Sequence, residues 1–121
     1  MPVKKILVVD DSATDRQFLL EGLSRLGYQV VLAESGEQAL ARAKSEQPDL
    51  VLMDVVMPGV NGFQATRQLA RDEATRHIPV IMCTTKSQET DRIWGMRQGA
   101  KDYLTKPVDM RALAAKIAAL D

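Results

Sequence analysis

Five short apolar runs punctuate the chain, and each is followed by a longer stretch with helical spacing. The runs are KILVV (5 to 9), QVVLA (29 to 33), DLVLM (49 to 53), PVIMC (79 to 83) and DYLT (102 to 105). Runs of four or five residues, rich in β-branched and aliphatic side chains, read as strands. Three of the five are nearly all apolar, as strands covered on both faces must be. Between them, Leu19, Leu23 and Leu26 recur at steps of four and three, the repeat of a helix face. Ser12 with Asp15, and Ser35 with Gln38, have the spacing of capping boxes. Gly27 and Gly99 stand where helix C-caps want positive φ. Helices are expected at about 13 to 26, 36 to 46, 62 to 72, 87 to 98 and 109 to 119. Strand and helix in strict alternation imply an α/β fold, a (βα)5 doubly wound parallel sheet with helices on both faces.

Length and charge limit what such a chain can do. Its 121 residues make one domain around one core and leave no room for a second of ordinary size. The expected organisation is a single domain over residues 1–121 with no output domain. Lys plus Arg and Asp plus Glu balance at 16 each, so no cationic field gathers nucleic acid or an anionic membrane. No apolar run approaches the roughly 20 residues that span a bilayer, and the N-terminal MPVKKILVV is too short for a signal peptide. A cytoplasmic monomer is expected. The one cysteine, Cys83, can form no internal disulfide.

The chemistry-bearing residues collect where the strands end. Asp10 and Asp11 follow the first run, Asp54 the third, Thr84 and Thr85 the fourth, and Lys106 the fifth. In an open parallel sheet, groups at the carboxyl ends of strands beside the reversal of strand order share one crevice, and order 2-1-3-4-5 brings these groups together. Three carboxylates in one crevice raise one another's pKa and call for a cation. Oxygen donors with neither histidine nor cysteine nearby favour Mg²⁺ over Zn²⁺. Asp10 and Asp11 are the expected metal holders. A metal, the Lys106 ammonium and the Thr84 hydroxyl around one free carboxylate make a site for a phosphoryl group. Asp54 is then the nucleophile that becomes an aspartyl phosphate.

Four blocks, ILVVDDS, LVLMDVVMPGVNG, PVIMCTT and GAKDYLTKP, resemble the motif blocks of the CheY-like receiver domain of bacterial two-component response regulators. The resemblance runs nearly end to end and implies a flavodoxin-like fold of order 2-1-3-4-5. It implies that Asp10 and Asp11 are the acidic pair, Asp54 the phosphoacceptor, Thr84 the switch hydroxyl, Tyr103 the switch aromatic and Lys106 the invariant lysine. It further implies a Mg²⁺ ligand in the backbone carbonyl of Val56 and a cis bond between Lys106 and Pro107. The donor would be the phosphohistidine of a histidine kinase, and the output partner would meet the face of helix 4, strand 5 and helix 5. Val56 and Lys86 occupy positions where side chains of this family influence water's access to the acyl phosphate. The phrases MPGVNGFQATRQL and TTKSQETDRIWGMRQGAKDYLTKPVD are similar to those of single-domain regulators of type IV pilus chemosensory systems, which implies a part in twitching motility and control of the pilus motor; the alternative is a receiver of another chemotaxis-like cluster acting as a phosphate sink.

Plainer roles compete at several positions. Cys83 reads as a buried strand residue, His77 as a polar loop residue without a partner cluster, and Met53, Met57 and Met82 as space-filling. Trp94 fits either a core edge or an exposed partner contact. Two other functions are open to a chain of this kind. A haloacid-dehalogenase-type phosphatase also uses an aspartate after a strand, but needs a second acid two residues on, where this chain has Val56. A degenerate receiver binding partners constitutively would not need its chemical positions intact, and here all are present. No catalytic turnover on other molecules is expected.

Overall fold

A computed structural model describes residues 2–120. The elements are β1 Lys5–Val9, α1 Ala13–Arg25, β2 Gln29–Ala33, α2 Gly36–Glu46, β3 Leu50–Met53, α3 Gly62–Arg71, β4 Val80–Thr84, α4 Glu89–Arg97, β5 Asp102–Thr105 and α5 Met110–Ala118. The strands form one parallel sheet in the expected order, β2-β1-β3-β4-β5. Among the described residues no helix is long and apolar enough to cross a membrane.

Alternation along the strands divides the core into two layers. On one face Leu7, Val9, Val51, Met53, Val80 and Met82 meet Ala39 and Ala43 of α2 and Ala65 and Leu69 of α3. On the other, Ile6, Val8, Leu50, Leu52, Ile81 and Cys83 meet Leu19 and Leu23 of α1 and Leu113 and Ile117 of α5. β1, β3 and β4 are buried on both sides, apart from Lys5 at the start of β1. Burying each of their large aliphatic side chains contributes about 1.5–3 kcal/mol. The edge strands β2 and β5 are only partly covered, which is why their sequences are less uniformly apolar.

Helix ends account for most boundary differences. The Ser12 and Ser35 hydroxyls cap α1 and α2 by accepting from the backbone N–H of Asp15 and Gln38. Neither closes the reciprocal half of a capping box. Gln38 turns its side-chain oxygen to the Glu34 N–H, and the Asp15 carboxylate is engaged elsewhere. The complete box belongs to α3, between Asn61 and Gln64. α4 lies within the expected 87 to 98, and Gln88, at its N-cap, makes no side-chain cap bond. Gly27 and Gly99 do end α1 and α4 at φ +94° and +115°. In each case the next residue's N–H, from Tyr28 or Ala100, reaches back to the carbonyl of Leu23 or Gly95.

Candidate functional site

Each expected site residue is fixed through its backbone before its side chain acts. The Asp10 N–H donates to Ala33 on β2, the Asp54 N–H to Val9 on β1, and the Lys106 N–H to Thr84 on β4. The ladder thus continues one residue past β1, β3 and β5 and presents three side chains at one edge. α3 starts equally close to Asp54. A Cβ on Gly62 would collide with the Asp54 carbonyl oxygen, so only glycine lets the helix begin there. The Lys106-Pro107 peptide bond is cis, as the resemblance implied.

Lys106 is the hub. Its Nζ lies 2.6 Å from Asp10 Oδ2, 2.8 Å from Asp15 Oδ2 and 3.4 Å from Asp54 Oδ2. Asp10 and Asp54 are buried, whereas Asp11 is exposed. Their other oxygens are held by backbone donors: Ser12 N–H reaches Asp10 Oδ1 at 2.9 Å, and Val55 N–H reaches Asp54 Oδ1 at 2.7 Å. Burial pushes the Asp10 carboxyl above its ordinary value, against the pull of the Lys106 hydrogen bond. Burial works the other way on Lys106, but its hydrogen bonds to Asp10 and Asp15 and the charge of Asp54 prevail and hold the ammonium protonated.

The acid set fits a hard cation. One oxygen each from Asp10, Asp11 and Asp54 lie within 4.8 Å of one another. Asp10, Asp15 and Asp54 share a single ammonium and Asp11 lies beside Asp10 and Asp54, so negative charge is in excess, and all the donors are oxygen. The Val56 side chain is half-exposed and shares a recess of about 360 Å³ with Lys86.

Asp15 is the residue that sequence reasoning assigned to a different task. Read as the far half of a capping box, it instead pairs with Lys106. The available signal was its place one helical turn beyond Asp11, on the first turn of a helix that begins beside the acidic pair. Arg16 was also missed. Its guanidinium donates to the Asp10 carbonyl at 2.7 Å and pairs with Glu34 at 3.2 Å, bracing the loop after β1.

Thr84 ends β4, fully buried, and its Oγ1 accepts from the Lys86 N–H at 3.3 Å. Tyr103 is turned inwards, with its hydroxyl donating to the Lys86 carbonyl at 2.7 Å. Its ring lies against Gly95, where a Cβ would come within 3.3 Å of it. Burial, with the charges of Asp91 and Asp54, pushes the Tyr103 phenol up to about 12. The two residues therefore meet at one backbone position, Lys86. Thr85 is exposed. Cys83 is buried in the α1 and α5 layer and its thiol is pushed up to about 12, as an inert strand residue requires. His77 is exposed at the opposite end of the sheet, near Asp49 and Pro79. Trp94 is exposed as well, which resolves its two possible roles against the core.

Comparison with known proteins agrees with this geometry. The response regulator receiver domain matches residues 6–118. Over 116 residues the chain is 58% identical to protein PilH of Pseudomonas aeruginosa, covering 96% of each. It is 43% identical over 117 residues to the phosphate regulon transcriptional regulatory protein PhoB of the same organism, spanning 97% of this chain but 51% of that protein. The solved structure of the chemotaxis protein CheY4 of Vibrio cholerae superimposes with a TM-score of 0.91 at 30% identity, covering 98% of this chain and 99% of that one. The receiver domain of sensor histidine kinase PA1611 of Pseudomonas aeruginosa gives 0.89 at 32% identity, covering 97% and 96%, and has a magnesium ion coordinated in its active site cleft. With its CheY-like fold and its acidic cluster around one lysine, the chain belongs to the response regulator receiver domain family.

Proposed function

We propose that this chain is a stand-alone response regulator, a single receiver domain that takes a phosphoryl group onto Asp54 from the phosphohistidine of a histidine kinase. The observation that carries the reading is the meeting of Asp10, Asp11 and Lys106, from the ends of strands, around the buried Asp54 carboxylate. An Asp54 carboxylate oxygen attacks phosphorus, the O–P bond forms as the P–N bond breaks, and the imidazole leaves. Asp10, Asp11, Asp54 and the Val56 carbonyl would hold Mg²⁺, which supplies charge neutralisation at the phosphoryl oxygens when bound. Lys106 holds a further oxygen, and Thr84 donates its hydroxyl to another. Val56 and Lys86, at the mouth of the recess, flank the path of hydrolytic water.

Thr84 and Tyr103 then form the switch. Drawing the Thr84 hydroxyl to the phosphoryl group breaks its bond from the Lys86 N–H, and Tyr103 is tied to the carbonyl of the same residue. A local charge change thereby biases the face of α4, β5 and α5 towards an output partner. Identity to PilH along nearly the whole of both chains supports a place in type IV pilus signalling and twitching motility. The chain would act in the cytoplasm as a monomer, without contact to nucleic acid or membrane, and without turning over other substrates.

The test is the intact mass of the chain and of Asp54→Asn after incubation with acetyl phosphate, with and without Mg²⁺. One phosphoryl adduct, dependent on metal and absent from the variant, is expected. An adduct undiminished by excess chelator, or retained by Asp54→Asn, sinks the assignment. For the pathway, the wild-type chain but not Asp54→Asn should restore twitching to a Pseudomonas aeruginosa strain lacking PilH.

A further inference from the structure

The groove between α3 and α4 has no part in the phosphorylation site. It is an open cavity of about 420 Å³ whose lining includes Arg67, Arg71, Trp94 and Arg97, and no carboxylate lines it. Among the described residues none of the three guanidiniums makes a hydrogen bond or ion pair. In a chain whose charges balance overall, three unpaired cations around one aromatic are a local concentration. Arg71 and Arg97 lie in the last turns of their helices, where the helix dipole alone favours a cation. That account does not extend to Arg67, which lies a full turn earlier, or to Trp94, whose side chain is half-exposed.

We infer that this groove docks an acidic segment of a partner protein, with carboxylates flanking an apolar side chain. Arginine pairs with carboxylates through two parallel hydrogen bonds, and a bound apolar side chain would cover the Trp94 face. Tryptophan and arginine are also the residue types that dominate interface energies. The shape and charge of the groove select against other anionic partners. A cleft between two helices does not lie flat on a membrane, and three cations in one cleft make too short a track for the many phosphate contacts of nucleic acid. The groove lies on the α3 side of α4, apart from the face of α4, β5 and α5.

Trp94 is the sole tryptophan, so its emission reports on the groove directly. The full chain would be titrated with a short synthetic peptide alternating Glu and Asp with Leu and Phe, and with the same peptide carrying Lys at every acidic position. A single-stranded oligonucleotide and phosphatidylglycerol vesicles would follow. The acidic peptide is expected to shift Trp94 emission to shorter wavelength. Its affinity should fall about tenfold or more in Arg67→Glu/Arg97→Glu, and should hold in Arg25→Glu, a reversal of an exposed arginine on α1. Arg67→Gln/Arg97→Gln should show a smaller loss in the same direction, and circular dichroism would check that each variant is folded. A flat titration, equal losses in the groove and α1 variants, or tighter binding of the Lys peptide, oligonucleotide or vesicles overturns the proposal.

Discussion

Replacing Lys106 by methionine keeps most of the side chain's bulk and removes the ammonium. At an effective dielectric of about 20, its 2.6 Å contact with Asp10 represents roughly 6 kcal/mol of gross attraction, much of it offset by desolvation of the two ions. Asp15 is 42% exposed and adds little. The larger effect is the charge left behind on the buried Asp10 and Asp54, and removing one partner of a buried set costs about 3–5 kcal/mol. The lower end, about 3 kcal/mol, is expected because Asp10 is already held above its ordinary value and can take up a proton in response. For a chain of this length that is a fall of about 10 °C in Tm. The pH dependence has a definite sign. In the variant, ionised Asp10 penalises the folded state, so the deficit relative to wild type is largest above its raised folded pKa and shrinks as pH falls through it. Lys106 itself stays charged throughout that range in the wild type. Urea unfolding of both proteins in EDTA at pH 8 and pH 5 measures this, and saturating Mg²⁺ at pH 8 should return part of the loss. Equal stability in EDTA at pH 8, or a deficit that does not change between the two pH values, would refute the reasoning.

Gly62→Ala should cost about 3 kcal/mol or more, because the new Cβ meets the Asp54 backbone and cannot be absorbed by a flexible side chain; thermal unfolding reads the loss, and phosphoryl uptake should fall with it. Tyr103→Phe should lose about 1 kcal/mol in denaturant unfolding by removing the hydrogen bond to the Lys86 carbonyl. In the wild type, ultraviolet titration should show the Tyr103 phenolate only near pH 12. Asp49 accepts the N–H groups of Lys5 and Lys4, which hold its carboxyl below its ordinary 3.8. The stability it contributes is therefore present above about pH 4 and lost as pH falls through the lowered folded pKa. Asp49→Ala should destabilise the chain at pH 7, with a difference from wild type that narrows below pH 4; a constant difference across that range argues against the assigned role.

The sheet was legible because its signals are local and repeated. Leu7, Val51 and Met82 come from runs whose composition alone requires cover on both faces, and alternation fixes which layer each one joins. The acids were legible for a different reason: Asp10, Asp54 and Lys106 each stand immediately after a run, and strand order does the rest. Asp15 was misread because a carboxylate three residues after a serine satisfies a local rule. Its actual partner is 91 residues away, beyond the reach of any local pattern. The helix at 62 to 72 was expected, but the complete capping box that starts it, at Asn61 and Gln64, was passed over. The inward Tyr103 could not be derived either, since it depends on the bare surface of Gly95 on another element.

The span from Asp10 to Lys106 is 96 residues, and it also bears on how the protein is made. Synthesis delivers the acids well before their neutralising ammonium, which directly follows β5, the strand that closes the open edge of β4. A chain interrupted before β5 carries the whole carboxylate cluster with no lysine to balance it, and an unpaired edge strand beside it. Such a fragment lacks the ammonium that offsets the charge of Asp10 and Asp54. Balance of the acidic cluster is thus reached only once β5 and Lys106 have been translated.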